Sequence, residues 1–334
     1  MLYMLTFWKP AEKNKLKAAF TTSEDIVGPG KCQSYWYIKS GQWLKSTDTA
    51  YSELIFDKFS PTNKKIKSKR ALLFSSSHIK LFNNPLLFDM CFDKQKTYNK
   101  LKKFCIPTVS LSKISAKSIK ELYKILDKKI SKYQFSADFS QEVIIKDRFG
   151  AGGNNIYKFK RNQIDNITKL LKKHKKISFI IQPFTKFNEG FKFENISVSV
   201  EFRLIYLENT VIQSYLRIAK KGDFRCNEHR GGLLKYVSIK DIPPKVIDLA
   251  NKVIKKLDNK ASLYALDFII SNQGNVYLLE ANTGPGLDWN QSSKENELEA
   301  KKLINIITSE LAKRAFINNR KDIEFPKELI YLPV

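Results

Sequence analysis

Three oxygen-bearing side chains in YALDFIISNQGNVYLLEAN (264–282) carry the strongest chemical signal in the chain. With Gln273-Gly274 as a two-residue turn, this segment folds as a hairpin in which Asp267 lies directly opposite Glu280. Asn282 follows two residues later and shares the face of Glu280. Both carboxylates sit in apolar sequence, and directly opposed like charges destabilise a strand pair unless a cation lies between them. Oxygen ligands without His or Cys suit magnesium, particularly beside substrate phosphates. The plainer alternative is a solvated polar face.

A second hairpin offers the converse charge. In ISVSVEFRLIYL (196–207), Val198, Val200, Phe202 and Leu204 alternate with Ser197, Ser199, Glu201 and Arg203. A three-residue loop at Asn209–Val211 would set Arg203 opposite Arg217. Paired arginines on one sheet face call for an anion, which either Glu201 or a bound phosphate supplies. A register error would undo both hairpin arguments. The third signal is KDRFGAGGNNIY (146–157), a glycine-rich loop between strands. No GK[ST] follows, so this is not a Walker A loop. Its backbone N–H groups, at Gly150, Gly152 and Gly153, can nonetheless fold over phosphates, with Lys146 reaching them as a point charge. The fourth is GDFRCNEHRGG (222–232), which reads as a binding loop dense in donors.

The elements that position these residues follow from periodicity. Residues 91–104 read as a helix ended by Ile106-Pro107, and Ile119, Leu122, Tyr123 and Leu126 mark an amphipathic helix. QEVIIK (141–146) and NIYKFK (155–160) read as strands flanking the glycine loop. A helix over 164–171 leads into the buried strand ISFIIQPF (177–184). Further helices are expected after Pro243-Pro244 and over about 295–314. Strands and helices mixed with several antiparallel hairpins give an α+β chain.

Composition narrows the class. The 334 residues are 43% hydrophobic and 28% charged, which excludes a disordered or collagenous chain. No apolar run approaches the roughly 20 residues of a membrane span. The opening MLYMLTFWKP is too short for a signal-peptide core, so a cytoplasmic location is expected. Four dispersed cysteines and three histidines indicate neither a disulfide framework nor a zinc site. The net charge is +26, yet only nine of the 59 cations are arginine. A lysine surplus of that kind reads as compositional bias, and nucleic acid is not expected as the main partner.

As an ordered set these motifs resemble the ATP-grasp superfamily over roughly residues 80–315. The set comprises Lys94 in FDKQKTYNKLKKFCIPTV, Lys146 before its glycine loop, IIQPF, Arg203, Arg217, GDFRCNEHRGG, and Asp267 with Glu280-Ala-Asn282 and GPGL. GDFRCNEHRGG and LLEANTGPGLD are closest to the RimK-type glutamate ligases, and FNNPLLFDMCFDKQKTYNKL also resembles the YheC/YheD type. The resemblance implies an α+β ATP-grasp fold, two subdomains gripping ATP behind a small α/β N-terminal domain. The expected boundaries are 1–90, 91–184 and 185–334. It also implies that Lys94 and Lys146 contact ATP, and that Gln182, Pro183 and Phe184 form the hinge beside the adenine. Asp267, Glu280 and Asn282 would hold two magnesium ions, and Arg203, Arg217 and Asn227 would serve the transferred phosphoryl group. Pro183 stands where the family commonly has a hinge carboxylate, leaving Glu189, Glu194 and Glu201 as ribose candidates.

The implied activity is ATP-dependent carboxylate–amine ligation through an acyl phosphate, with an acidic peptide or protein tail as one candidate acceptor. Two alternatives stay open: a kinase of the same fold acting on a hydroxyl, and a basic surface-binding protein with a vestigial ATP site. Oligomeric state, including a homo-oligomer, is likewise open.

Overall fold

A computed structural model describes residues 9–59, 61, 63–287, 293–316 and 329–333. The chain forms two compact units. One comprises residues 1–85, 260–263 and 284–334, and the other comprises residues 86–259 and 264–283. Residues 284–287, 293–316 and 329–333 thus group with the N-terminal residues, whereas the expected boundary kept them with 185–283.

The first unit holds β1 (Lys17–Thr21), β2 (Ile26–Gly28), β3 (Lys31–Cys32), β4 (Tyr35–Lys39), β5 (Gln42–Ser46), β6 (Ala50–Tyr51), β7 (Leu54–Phe56), α1 (Lys64–Leu73) and β8 (Lys80–Phe82). Six strands make its main sheet in the order β5-β4-β1, the strand Leu329–Pro333, β7 and β8. The C-terminal strand runs parallel to both β1 and β7. The helix Lys294–Phe316 buries Leu303, Ile304, Ile307 and Leu311 at helical spacing.

The second unit carries every site residue proposed from the sequence. α2 (Pro85–Phe92) and α3 (Lys94–Leu101) replace the single helix expected over 91–104. The break comes at Asp93, which leaves helical geometry and caps α3 by accepting from the Gln95 and Lys96 amides. A four-stranded antiparallel sheet then follows from β9 (Val109–Ser110), β10 (Phe139–Asp147), β11 (Ile156–Lys160) and β12 (Phe179–Thr185), in the order β11-β10-β12-β9. α4 (Ala116–Ile130) and α5 (Ile164–Lys173) pack Ile119, Leu126, Ile167 and Leu171 against Val143, Ile145 and Ile181 of that sheet. Each fully buried aliphatic side chain there contributes about 1.5–3 kcal/mol.

After the two-stranded β13 (Lys192–Phe193) and β14 (Ile196–Ser197), a five-stranded sheet forms from β15 (Val200–Leu207), β16 (Thr210–Ile218), β17 (Leu233–Tyr236), β18 (Leu263–Ile270) and β19 (Val276–Asn282). Its order is β17-β16-β15-β18-β19. α6 (Pro244–Ile254) starts on a proline at its first turn and buries Val246, Ala250 and Val253 against this sheet. Phe202, Leu204, Tyr264, Leu266 and Phe268 fill the same core.

The two hairpin registers come out differently. Asp267 does pair with Glu280, but through a bulge between Asp267 and Phe268 and a wider turn in which Ser271 N–H donates to Asn275 O. Without that bulge the pairing at the turn end would have set Leu279 opposite Asp267. The other register is corrected. The β15–β16 turn is the two-residue Glu208-Asn209, and a bulge follows at Ile205/Tyr206. Arg217 therefore faces Glu201, and Arg203 faces Tyr215 rather than Arg217.

Candidate functional site

Strand pleating decides which residues meet in the second unit. Along β10, Val143 and Ile145 face the helices, so Ile144 and Lys146 face the other way. Along β12 the same alternation turns Gln182 and Phe184 away from Ile181. From the five-stranded sheet, Glu201, Arg217, Ile269 and Glu280 face the same space. The result is a cleft open to solvent. Its apolar lining (Ile106, Ile144, Pro183, Phe184, Ile269, Leu279) leads to a charged end with Lys94, Lys146, Glu201, Arg217 and Glu280. An apolar slot beside fixed charges suits a ligand that is apolar at one end and anionic at the other.

The charged end is built from interlocked pairs. Arg203 forks both oxygens of Asp267, Nε to Oδ1 and Nη2 to Oδ2, each at 2.6 Å. Arg217 Nη2 adds a third bond to Asp267 Oδ2 at 2.8 Å and lies 2.5 Å from Glu201 Oε2. Lys94 Nζ stands 2.8 Å from Glu280 Oε1 and also donates to the Gly150 carbonyl. Burial alone would raise the Asp267 carboxyl, but Arg203 and Arg217 outweigh it and hold its pKa below the usual range. Glu280 follows the same logic, with Lys94 and Lys146 overcoming burial. Glu201 goes the other way, because burial exceeds the pull of Arg217. Burial likewise depresses Lys146 to about 8, against the opposing field of Glu280. Arg217 Nε, buried at the cleft, has no hydrogen-bond partner among the described residues. An anionic ligand would supply one.

Two loops meet over this end. A Cβ on Gly153 would fall 2.4 Å from Asn227 Oδ1, so the glycine loop and the 222–232 loop touch here and a larger residue would displace the Asn227 side chain. Gly153 also has φ +73°, the left-handed region, as does Gly152 at +67°. Gly153→Ala is therefore expected to lift the loop, since the backbone strain alone is about 1–2 kcal/mol. Titration of the folded variant with ATP, the ligand the sequence resemblance implies, should show affinity lower by about tenfold or more. An unchanged affinity would mean that the loop does not cover the ligand.

Of the residues proposed from sequence, Lys94, Lys146, Gly150, Gly153, Gln182, Pro183, Phe184, Arg217, Asn227 and Glu280 line the cleft. Arg203, Gly152, Asp267 and Asn282 do not line it, although Asp267 reaches it through Arg217. Glu189 lines a separate groove with Lys186, Lys220 and Lys221, and among the ribose candidates only Glu201 faces the cleft. The sequence reading missed the apolar slot. Ile144 lies two residues from Lys146 and Ile269 two from Asp267, so face-sharing with the charged residues was the available signal.

Magnesium, the cation expected from the sequence, fits the donor set. Asp267 and Glu280 are cross-strand neighbours with hard oxygens, and the Asn282 amide lies 3.5 Å from Asp267 Oδ2. Each carboxylate is paired with a side-chain cation, Glu280 with Lys94 and Asp267 with Arg203 and Arg217, and a bound metal would share these oxygens with them. Two carboxylates and an amide make the set. No group of three or more His, Cys, Asp or Glu poised for a metal occurs among the described residues.

Comparison with known proteins matches a RimK-like ATP-grasp domain over residues 92–307. A probable alpha-L-glutamate ligase of Haemophilus influenzae is 29% identical over 142 residues, 40% of this chain and 43% of the relative. The ribosomal protein bS6–L-glutamate ligase of Salmonella paratyphi B is 34% identical over 88 residues, 26% of this chain and 27% of the relative. The chain thus spans less than half the length of these relatives. Among solved structures, a RimK domain ATP-grasp protein of Sphaerobacter thermophilus superposes with a TM-score of 0.57. It has 12% identity, over 92% of this chain and 95% of that one, and the likeness is one of fold. No described helix is long and apolar enough to cross a membrane. With the family domain covering well over half its length, and with an α+β fold of matching topology, the chain belongs to the RimK-like ATP-grasp family.

Proposed function

We propose that this chain is an ATP-dependent carboxylate–amine ligase that joins an amino acid to an acidic small molecule, peptide or protein tail. The observation that supports this most is the single cleft uniting an apolar slot, a glycine loop and the Lys94, Lys146 and Arg217 cations. The relatives named glutamate ligases point the same way.

The adenine lies in the slot between Ile144, Phe184, Ile269 and Leu279, next to the hinge residues Gln182 and Pro183. Gln182 is fixed there by its bond to Thr108 Oγ1 at 2.7 Å. Lys146 and Lys94 hold the phosphates under the glycine loop. Lys146 is charged below about pH 8 and gains further from an anionic neighbour. Asp267, Glu280 and Asn282 would hold the magnesium. When bound, magnesium neutralises charge on the phosphates and on the transferring group. Arg203 keeps Asp267 ionised and oriented from behind. Arg217 turns its unpartnered Nε toward the transferred phosphoryl group, with Asn227 beside it.

In the first step a substrate carboxylate oxygen attacks the γ-phosphorus, the bond to the β-phosphate oxygen breaks, and ADP leaves with that electron pair. In the second, the amine attacks the acyl carbon, the C–O bond to the phosphate breaks, and inorganic phosphate departs. The amine's proton passes to the departing phosphate or to solvent. No side-chain nucleophile is needed, since positioning and charge neutralisation do the chemistry.

Mg–ATP turnover should be measured as ADP and phosphate release across pooled amino acids, dipeptides and poly-glutamate, with mass spectrometry of the products. A product heavier by one amino-acid residue, formed with one ADP and one phosphate, is the expected result. A stable phosphorylated product without phosphate release would replace the ligase reading by a kinase.

A further inference from the structure

Outside the groups assigned above, one ion pair stands between the two parts that must grip the triphosphate. Asp93 immediately precedes Lys94, and Arg148 lies two residues before Gly150. Arg148 forks the Asp93 carboxylate, Nε to Oδ1 at 2.6 Å and Nη2 to Oδ2 at 2.5 Å. The same carboxylate caps α3 at the Gln95 and Lys96 amides. The main chains are tied as well, with Lys94 N–H donating to Arg148 O at 3.1 Å. Arg148 N–H in turn donates to Ser178 O at 2.8 Å, and Arg148 Nη1 lies 3.4 Å from Ser110 Oγ. A second contact backs the pair. Phe149 stacks on Phe92 at 5.4 Å, and Phe92 on Phe88 at 5.7 Å, joining the loop base to α2.

The clamp falls at the base of the glycine loop, whereas the positive-φ glycines lie at its tip. The base is thereby fixed to the helix that carries Lys94. The Asp93 side chain is 6% exposed and that of Arg148 is 27%, so solvent screens the pair only in part. Neither residue lines the cleft.

We infer that Asp93 and Arg148 are positioning residues, which hold Lys94 and the base of the glycine loop in register so that both engage the same triphosphate. This rests on the ATP site proposed above. Loss of the pair leaves Lys94 and the loop to be ordered by the nucleotide itself, at the expense of affinity.

The test is binding of a fluorescent ATP analogue with magnesium to the full chain and its variants, alongside thermal unfolding. Arg148→Met and Asp93→Asn should each weaken binding about tenfold, and the double variant about tenfold again rather than a hundredfold, because one pair is lost in all three. Arg148→Lys, which keeps the charge without the fork, should fall between. Should Arg148→Met not fold, the Lys variant and Asp93→Asn carry the comparison. Arg161→Met breaks the ion pair to Asp127, away from the cleft, and serves as the control for stability alone. It should leave affinity unchanged. Wild-type affinity within twofold in Arg148→Met or Arg148→Lys overturns the inference while leaving the ATP site intact. Failure of the wild-type chain to bind the analogue overturns both.

Discussion

Asp267→Ala is expected to abolish turnover and to remove about 3–5 kcal/mol of stability, the penalty for breaking a buried ion pair from one side. The side chain is 0% exposed and accepts three hydrogen bonds from two guanidinium groups. Its removal leaves Arg203 without a carboxylate in a low-dielectric site and Arg217 with Glu201 alone. The sign with pH follows from the lowered pKa. Asp267 binds its proton less readily folded than unfolded, so its contribution is fully present above the ordinary carboxylate range. That contribution is lost as pH falls through the depressed folded value. Urea midpoints of wild type and variant should therefore differ most near neutrality and converge in acid. Equal midpoints at neutral pH would show that the arginines are held by something else.

Glu280→Gln should act on chemistry and not on the fold. Its side chain is 23% exposed and meets Lys94 alone by direct ion pairing among the described residues. The shape is retained, and unfolding midpoints should shift little. Turnover with Mg–ATP is expected to fall by about 10²–10³, the usual effect of losing one electrostatic contact to a transition state. ATP without metal should bind at least as tightly as to wild type, because Lys94 and Lys146 no longer share their charge with a carboxylate. Turnover within threefold of wild type would remove Glu280 from the metal set.

How far this site could be read from sequence depended on local geometry. Alternation in 200–207 and the apolar setting of Asp267 placed the charged residues on the correct faces, because side-chain direction in a strand depends only on parity. The β15–β16 register was misjudged by two residues, since Glu208 adopts φ +53° and closes a two-residue turn that its residue type does not advertise. An even shift keeps every face, so Arg203 and Arg217 still converge, on Asp267 and not on each other. The β18–β19 pairing was right at Asp267 only because an unforeseen bulge offset a wider turn. The single helix expected over 91–104 overlooked Asp93 as a cap. Its partner Arg148 lies 55 residues away, a relation no periodicity reveals. The grouping of residues 284–287 and 293–316 with the N-terminal unit also arises from long-range packing.

The central claim is that a substrate carboxylate takes the γ-phosphoryl group before an amine displaces it. The direct measurement is turnover with an acceptor whose carboxylate oxygens are ¹⁸O-labelled, followed by mass analysis of the released phosphate. The account expects one labelled oxygen in each phosphate, carried over when the acyl C–O bond breaks, and one retained in the new amide. Phosphate free of label beside an acceptor that keeps both labelled oxygens would contradict it.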